Sequence, residues 1–215
     1  MICVSIGNLN FNRCLELVMQ AECAEIRLDL MDLTDEEVNL IFSEPCNLVA
    51  TCRPGKFSDE ERARLLLKAI QHGAQYVDIE FEAEAKYRHL LVEHARAKGV
   101  KVIISYHDFD KTPSLKDLEA IVEKSQLMEA DIVKIATLAK SQADCATVMS
   151  LYRKEKDLIA FCMGQLGVIT RIAAPLLGAE FTFAALDDSF KTAPGQLTLE
   201  EMEKVYKIIQ PGKEY

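Results

Sequence analysis

The chain has no Cys-x-x-Cys pair, no long apolar run and no surplus of positive charge, and each lack removes a class of protein. Its seven cysteines (Cys3, Cys14, Cys23, Cys46, Cys52, Cys145 and Cys162) do not have the paired spacing of a structural zinc site. Their number is odd, several lie inside apolar runs, and no signal peptide precedes the first of these. Reduced, mostly buried thiols in a cytoplasmic protein are therefore expected. No apolar stretch approaches the ~20 residues that a membrane-spanning helix needs. The formal net charge of −9 argues against a nucleic-acid partner, because phosphate binding asks for a basic surface. A small anion stays open, since a few local arginines can make a positive pocket in an acidic protein. No segment is low in complexity, and 215 residues rich in aliphatics suffice for a sizeable core.

Short apolar strands alternate with amphipathic helical patterns along the whole chain. Strands are predicted at Ile2–Ile6, Glu25–Leu30, Leu48–Arg53, Tyr76–Phe81, Lys101–Tyr106, Ile132–Thr137, Leu158–Met163 and Phe181–Leu186. Ser58 followed by Asp59, Glu60 and Glu61 reads as a helix start, as does Thr198 with Glu201 three residues on. Gly73 and Gly99 fall where helices should end. Strict β-α alternation with short loops implies a parallel sheet, and eight such units in one chain predict a single (β/α)₈ TIM barrel over residues 1–215. An open doubly wound sheet is the alternative, but Gly7-Asn8-Leu9-Asn10 is not the glycine-rich phosphate turn that usually follows its first strand.

Helices cover the outside of such a barrel, so charged residues alternating with aliphatics should point inward. That rule directs Glu25, Arg27 and Asp29 inward, along with Asp78 and Glu80, and groups Thr51 with Arg53, Ser5 with Cys3, and Ser105 with His107 just past the fifth strand. Lys134, in Asp131-Ile132-Val133-Lys134-Ile135-Ala136, has apolar neighbours on both sides. An ammonium there is costly to bury. A desolvated lysine loses its proton more readily, and the neutral amine is what attacks a ketone to form a Schiff base. A snorkelling lysine at a sheet edge is the plain alternative. His107 suits proton transfer near neutral pH, with a loop histidine capping the next helix as its alternative, and the arginines suit a carboxylate.

Taken in order, Glu25-Ile26-Arg27-Leu28-Asp29, Thr51-Cys52-Arg53, Ser105-Tyr106-His107-Asp108-Phe109, Val133-Lys134-Ile135-Ala136, Met163-Gly164 with Gly167-Val168-Ile169-Thr170-Arg171, and Ala193-Pro194-Gly195-Gln196 resemble the type I 3-dehydroquinate dehydratases, Schiff-base enzymes of the shikimate pathway to chorismate and aromatic amino acids. The resemblance implies that Lys134 forms an iminium with the C3 ketone of 3-dehydroquinate. It implies that His107 acts as general acid-base, and that water leaves by syn elimination to give 3-dehydroshikimate. It assigns the substrate carboxylate to Arg171, Thr192 and Gln196, the ring hydroxyls to Ser5, Glu25, Arg27 and Arg53, and an apolar wall to Phe161 and Met163. No cofactor or metal is implied, and a homodimer is.

The chain departs from that pattern in two places. Relatives often carry a longer loop after the third strand, with a glutamate that orients the histidine, whereas Arg53-Pro54-Gly55-Lys56-Phe57-Ser58 has none, and Glu80 is the substitute candidate. Relatives often begin with a hairpin that closes the barrel bottom, whereas this chain starts almost directly on its first strand. Two rival functions share much of the reading: a Schiff-base aldolase acting on a keto sugar or keto acid, and an inert barrel that binds a small carboxylic acid.

Overall fold

Alternation of apolar strand and amphipathic helix, carried through eight repeats, sets the architecture. A computed structural model describes residues 1–155, 157–191 and 193–210. The strands are β1 (Ile2–Ile6), β2 (Cys23–Arg27), β3 (Asn47–Thr51), β4 (Tyr76–Glu80), β5 (Lys101–Asp108), β6 (Ile132–Leu138), β7 (Leu158–Met163) and β8 (Thr182–Ala185). The helices are α1 (Phe11–Val18), α2 (Asp35–Phe42), α3 (Asp59–His72), α4 (Ala85–Lys98), α5 (Leu115–Leu127), α6 (Gln142–Ser150), α7 (Val168–Leu176) and α8 (Leu199–Ile209). The strand order β7-β6-β5-β4-β3-β2-β1-β8 is the succession of a (β/α)₈ barrel. Pairing is parallel between β1 and β2, β2 and β3, β3 and β4, and β6 and β7.

Local sequence dictates where the helices begin and stop. Ser58 and Thr198 accept from the amides of Glu61 and Glu201, whose carboxylates return the bond in full capping boxes. Gly73 and Gly99 end α3 and α4 in the left-handed conformation that glycine takes without steric cost.

The chain divides into two compact units, one of residues Val4–Ile103 and one of Met1–Cys3 with Ile104 onward. In the first, Ile26, Ala50 and Val77 are register partners on one sheet face, while Arg27, Thr51 and Asp78 are partners on the other. In the second, Val133 and Ile135 of β6 pack with Leu158, Ala160 and Cys162 of β7 against Leu118 and Val122 of α5 and Val148 of α6. Alternation then puts Lys134 on the opposite face of β6.

Most predicted strand boundaries shift by up to three residues, and three of the shifts move candidate site residues. β2 stops at Arg27, because Leu28–Leu30 closes a 3₁₀ turn and the Met31 amide bonds back to the Leu28 carbonyl. Asp29 thus sits in a turn rather than on the strand face. β5 runs on to Asp108, so His107 lies inside the strand and not beyond it. β3 ends at Thr51, leaving Arg53 two residues past its end.

Candidate active site

The Schiff-base candidate lies among aromatic rings. Lys134, third residue of β6, is only 4 % exposed, and its Nζ sits 4.0 Å from the centroid of the Phe183 ring on β8. Lys134, Ala136 and Leu138 are register partners of Ile159, Phe161 and Met163 on β7, which places Phe161 and Met163 on the sheet face that carries the lysine. Both are buried, and the Phe161 and Phe183 rings stand 6.1 Å apart at 59°. The apolar wall and the amine therefore share one surface.

Arg171, in α7, stacks its guanidinium over Phe161, 4.3 Å from the ring centroid. The side chain is 1 % exposed, and its Nε and Nη2 have no hydrogen-bond partner among the described residues. Burial pulls its pKa down to about 10, which still leaves the group charged at neutral pH. A buried cation with unanswered donors is costly and has the fork geometry that fits a carboxylate. Its place is fixed from the backbone. The Thr170 hydroxyl accepts from the Cys162 amide at 2.7 Å and donates to the Gly167 carbonyl, and the Thr182 hydroxyl donates to the Arg171 carbonyl at 2.9 Å.

The loop bearing Gln196 lies against the same helix start. The Gly164 amide donates to the Pro194 carbonyl at 3.0 Å, and a Cβ on Gly195 would come within 2.2 Å of the Gly164 oxygen. With φ at +72°, position 195 has two reasons to be glycine. Gln196 is buried, and Thr192 lies outside the described residues. His107 is half-buried and stacks on the exposed ring of Phe109, centroids 6.1 Å apart at 12°. The next helix is capped by Ser114, and Asp108 accepts from the amides of Asp110 and Lys111, so neither task falls to His107.

Residues 4–103 hold a different arrangement, a set of paired charges. Glu25 accepts from Ser5 Oγ at 2.8 Å and from Thr51 Oγ1 at 3.0 Å. Arg27 grips Asp29 in bidentate fashion, at 3.0 and 2.7 Å. Arg53 donates to Asp78 at 2.8 Å and to Glu80 at 3.1 Å. Burial works against the charge of Arg53 and of Arg27, but their carboxylate partners outweigh it and both pKa values rise. The second oxygen of Glu80 accepts from Arg62 at 2.6 Å. Glu80 thus stands between two arginines.

Sequence reasoning passed over Phe183 and Arg62. Alternation in Phe181-Thr182-Phe183-Ala184 offered a signal for the first. The second hides in Asp59-Glu60-Glu61-Arg62-Ala63-Arg64, a charge run that reads as a solvated helix face. All seven cysteines are buried thiols outside any disulfide, and burial pushes Cys14, Cys46, Cys52 and Cys162 up to about 12. Among the described residues no helix is long and apolar enough to cross a membrane, and no cluster of three or more His, Cys, Asp or Glu could hold a metal ion.

A parallel (β/α)₈ chain with a buried strand lysine beside an anion-seeking arginine defines a class of barrel enzymes. The family profile described as type I 3-dehydroquinase matches residues 2–213. The chain is 34 % identical to 3-dehydroquinate dehydratase of Desulfotalea psychrophila, covering 95 % of this chain and 96 % of that one. It is 40 % identical to the protein of the same name from Pyrococcus abyssi, with 88 % of each covered. A crystal structure of type I 3-dehydroquinate dehydratase from Clostridium difficile, with covalently modified comenic acid, superposes with a TM-score of 0.84 at 25 % identity, over 97 % of this chain and 91 % of that one. The chain belongs to the type I 3-dehydroquinase family.

Proposed function

We propose that this chain dehydrates 3-dehydroquinate to 3-dehydroshikimate in the shikimate pathway, by syn elimination through a Schiff base on Lys134. The observation that carries this is the pairing of Lys134 over Phe183 with Arg171 over Phe161, a buried amine and a buried guanidinium with unanswered donors on one aromatic floor. The neutral Nζ attacks the C3 carbonyl, and loss of water gives the iminium. That cation makes the C2 proton acidic, and the electron pair left on its removal expels the C1 hydroxyl, which departs as water once protonated. Hydrolysis of the iminium returns the amine. His107 takes the C2 proton and delivers a proton to the leaving hydroxyl, and it carries protons in forming and breaking the Schiff base.

Arg171, Gln196 and Thr192 hold the substrate carboxylate, and Phe161 and Met163 form the apolar wall. Ser5, Glu25, Arg27 and Arg53 take the hydroxyls. For Glu80, two arginine partners favour holding Arg53 in place over orienting His107. The carboxylate fork favours a ring acid over the phosphorylated keto sugar of an aldolase.

Borohydride added with 3-dehydroquinate is expected to inactivate the enzyme and leave a stable adduct on Lys134, read by peptide mass. An adduct with a sugar phosphate alone would favour the aldolase, and none with either would favour an inert binder. The working form in this reading is a cytoplasmic homodimer. The exposed Leu166, Ile169, Leu176 and Leu177 along the start and end of α7 support an apolar contact face. Light scattering at micromolar protein should give twice the chain mass, and a monomer mass would remove the dimer.

A further inference from the structure

We propose that Arg62 is a positioning residue that tunes Arg53 for an anionic substrate, through the carboxylate of Glu80 that the two arginines share. The inference rests on reading Arg53 as a substrate-binding residue.

Arg62 is in the wrong place to serve its own helix. It lies in the first turn of α3, where the helix dipole disfavours a cation, and Ser58 and Glu61 already cap that end. It is also buried, which costs free energy unless every donor is answered. The answers are directed at the exit of β3 and the end of β4. Nε donates to the Cys52 carbonyl at 2.9 Å, Nη2 to Glu80 at 2.6 Å and Nη1 to Asp59 at 2.8 Å, while the Tyr87 ring covers the guanidinium at 5.0 Å. Cys52 is the residue before Arg53, and Glu80 holds the Arg53 side chain. One guanidinium therefore fixes Arg53 by its backbone and by its ion pair.

Charge gives the second reason. Arg53 faces two carboxylates, Asp78 and Glu80. Alone, that trio carries a net negative charge and would repel an anion. Arg62 supplies the second cation, taking the far oxygen of Glu80, while its other partner, Asp59, lies out in water where its charge is screened. The short Pro54–Phe57 link between Arg53 and the Ser58 cap leaves this support to the helix side.

The test is steady-state kinetics with 3-dehydroquinate. Arg62→Met is expected to raise KM ~10-fold with kcat within ~3-fold, and Arg62→Lys to fall between it and the wild type. Adding Glu80→Gln to Arg62→Met removes the uncompensated carboxylate and should bring KM back toward the wild-type value. A merely structural arginine would show its loss and its rescue in Tm and leave KM unmoved throughout. Unchanged KM in Arg62→Met, or a loss that Glu80→Gln does not relieve, overturns the proposal. Should Arg62→Met be insoluble, wild-type KM in Arg62→Lys or a still-raised KM in the double variant overturns it equally. The borohydride adduct on Lys134 separates this from the functional reading. Its absence in the wild type sinks that reading, whereas an adduct in the wild type with unaltered KM in the variants sinks only the role of Arg62.

Discussion

Arg53 and Arg62, in residues 4–103, meet carboxylates at 2.6–3.1 Å, whereas Arg171, in the unit that begins again at Ile104, meets an aromatic ring and keeps two buried donors without a partner among the described residues. The first arrangement is complete as it stands. Its ion pairs hold side chains in fixed positions, and that is what the proposed recognition of ring hydroxyls needs. The second is incomplete: a guanidinium is buried at a free-energy cost that, in the proposed function, an incoming carboxylate offsets. Binding free energy is then large where the protein left a charge unanswered and small where it answered the charge itself. Both regions differ again from Lys134, a buried amine that sits over the face of the Phe183 ring, 4.0 Å from its centroid.

The comparison breaks first at the amine. Lys134→Met should lower kcat by ~10⁴-fold or more, because it removes the electron sink itself. It should also abolish the borohydride adduct, while a titration of dehydroquinate still reports binding through Arg171. Turnover within tenfold of wild type would remove the Schiff base from the mechanism. His107→Ala comes next, at ~10²–10⁴-fold in turnover with binding largely intact. Single-turnover mixing separates a slow chemical step from slow release.

The two kinds of arginine should then part in stability. Arg53→Met takes away the cation that faces buried Asp78 and is expected to cost ~3 kcal/mol, about 6–12 °C in Tm for a domain of this size. Arg171→Met removes a buried charge held below its ordinary pKa by desolvation. A cation whose folded pKa is depressed opposes folding while it is charged, below that pKa, so its removal should leave Tm unchanged or raised at neutral pH. The same variant should raise KM ~10²-fold by loss of a charge-assisted pair. A fall in Tm for Arg171→Met as large as for Arg53→Met would erase the distinction.

The sequence displayed these two regions unequally. Period-2 alternation in β6 made the face of Lys134 legible, and the helix signals at Ser58, Thr198, Gly73 and Gly99 hold as expected because each depends on a few adjacent residues. Asp29 was misplaced for the same local reason: a 3₁₀ turn leaves no period for alternation to follow. The bareness of Arg171 was not legible at all. It depends on which atoms of β7, β8 and the Ala193–Gln196 loop lie round a helix start, a matter of packing between distant segments. Arg62 escaped because a charged residue beside three acids on a first turn looks solvated, and only the fold turns it toward Glu80.

The smallest expected effects lie within the paired region and examine whether its completeness is shared or additive. Glu25 accepts from both Ser5 and Thr51, one on each oxygen. Ser5→Ala removes one donor and leaves the other, so it should cost ~1 kcal/mol in urea unfolding and raise KM by only ~2–3-fold. Thr51→Val should do much the same. The double variant strips a buried carboxylate of both hydroxyls, and its loss should exceed the sum of the singles by ~1 kcal/mol, because the two donors solvate one shared charge. A strictly additive cycle would mean that each hydroxyl acts alone. The region would then be a set of separate pairs, and its contrast with Arg171 would rest on ion pairs only.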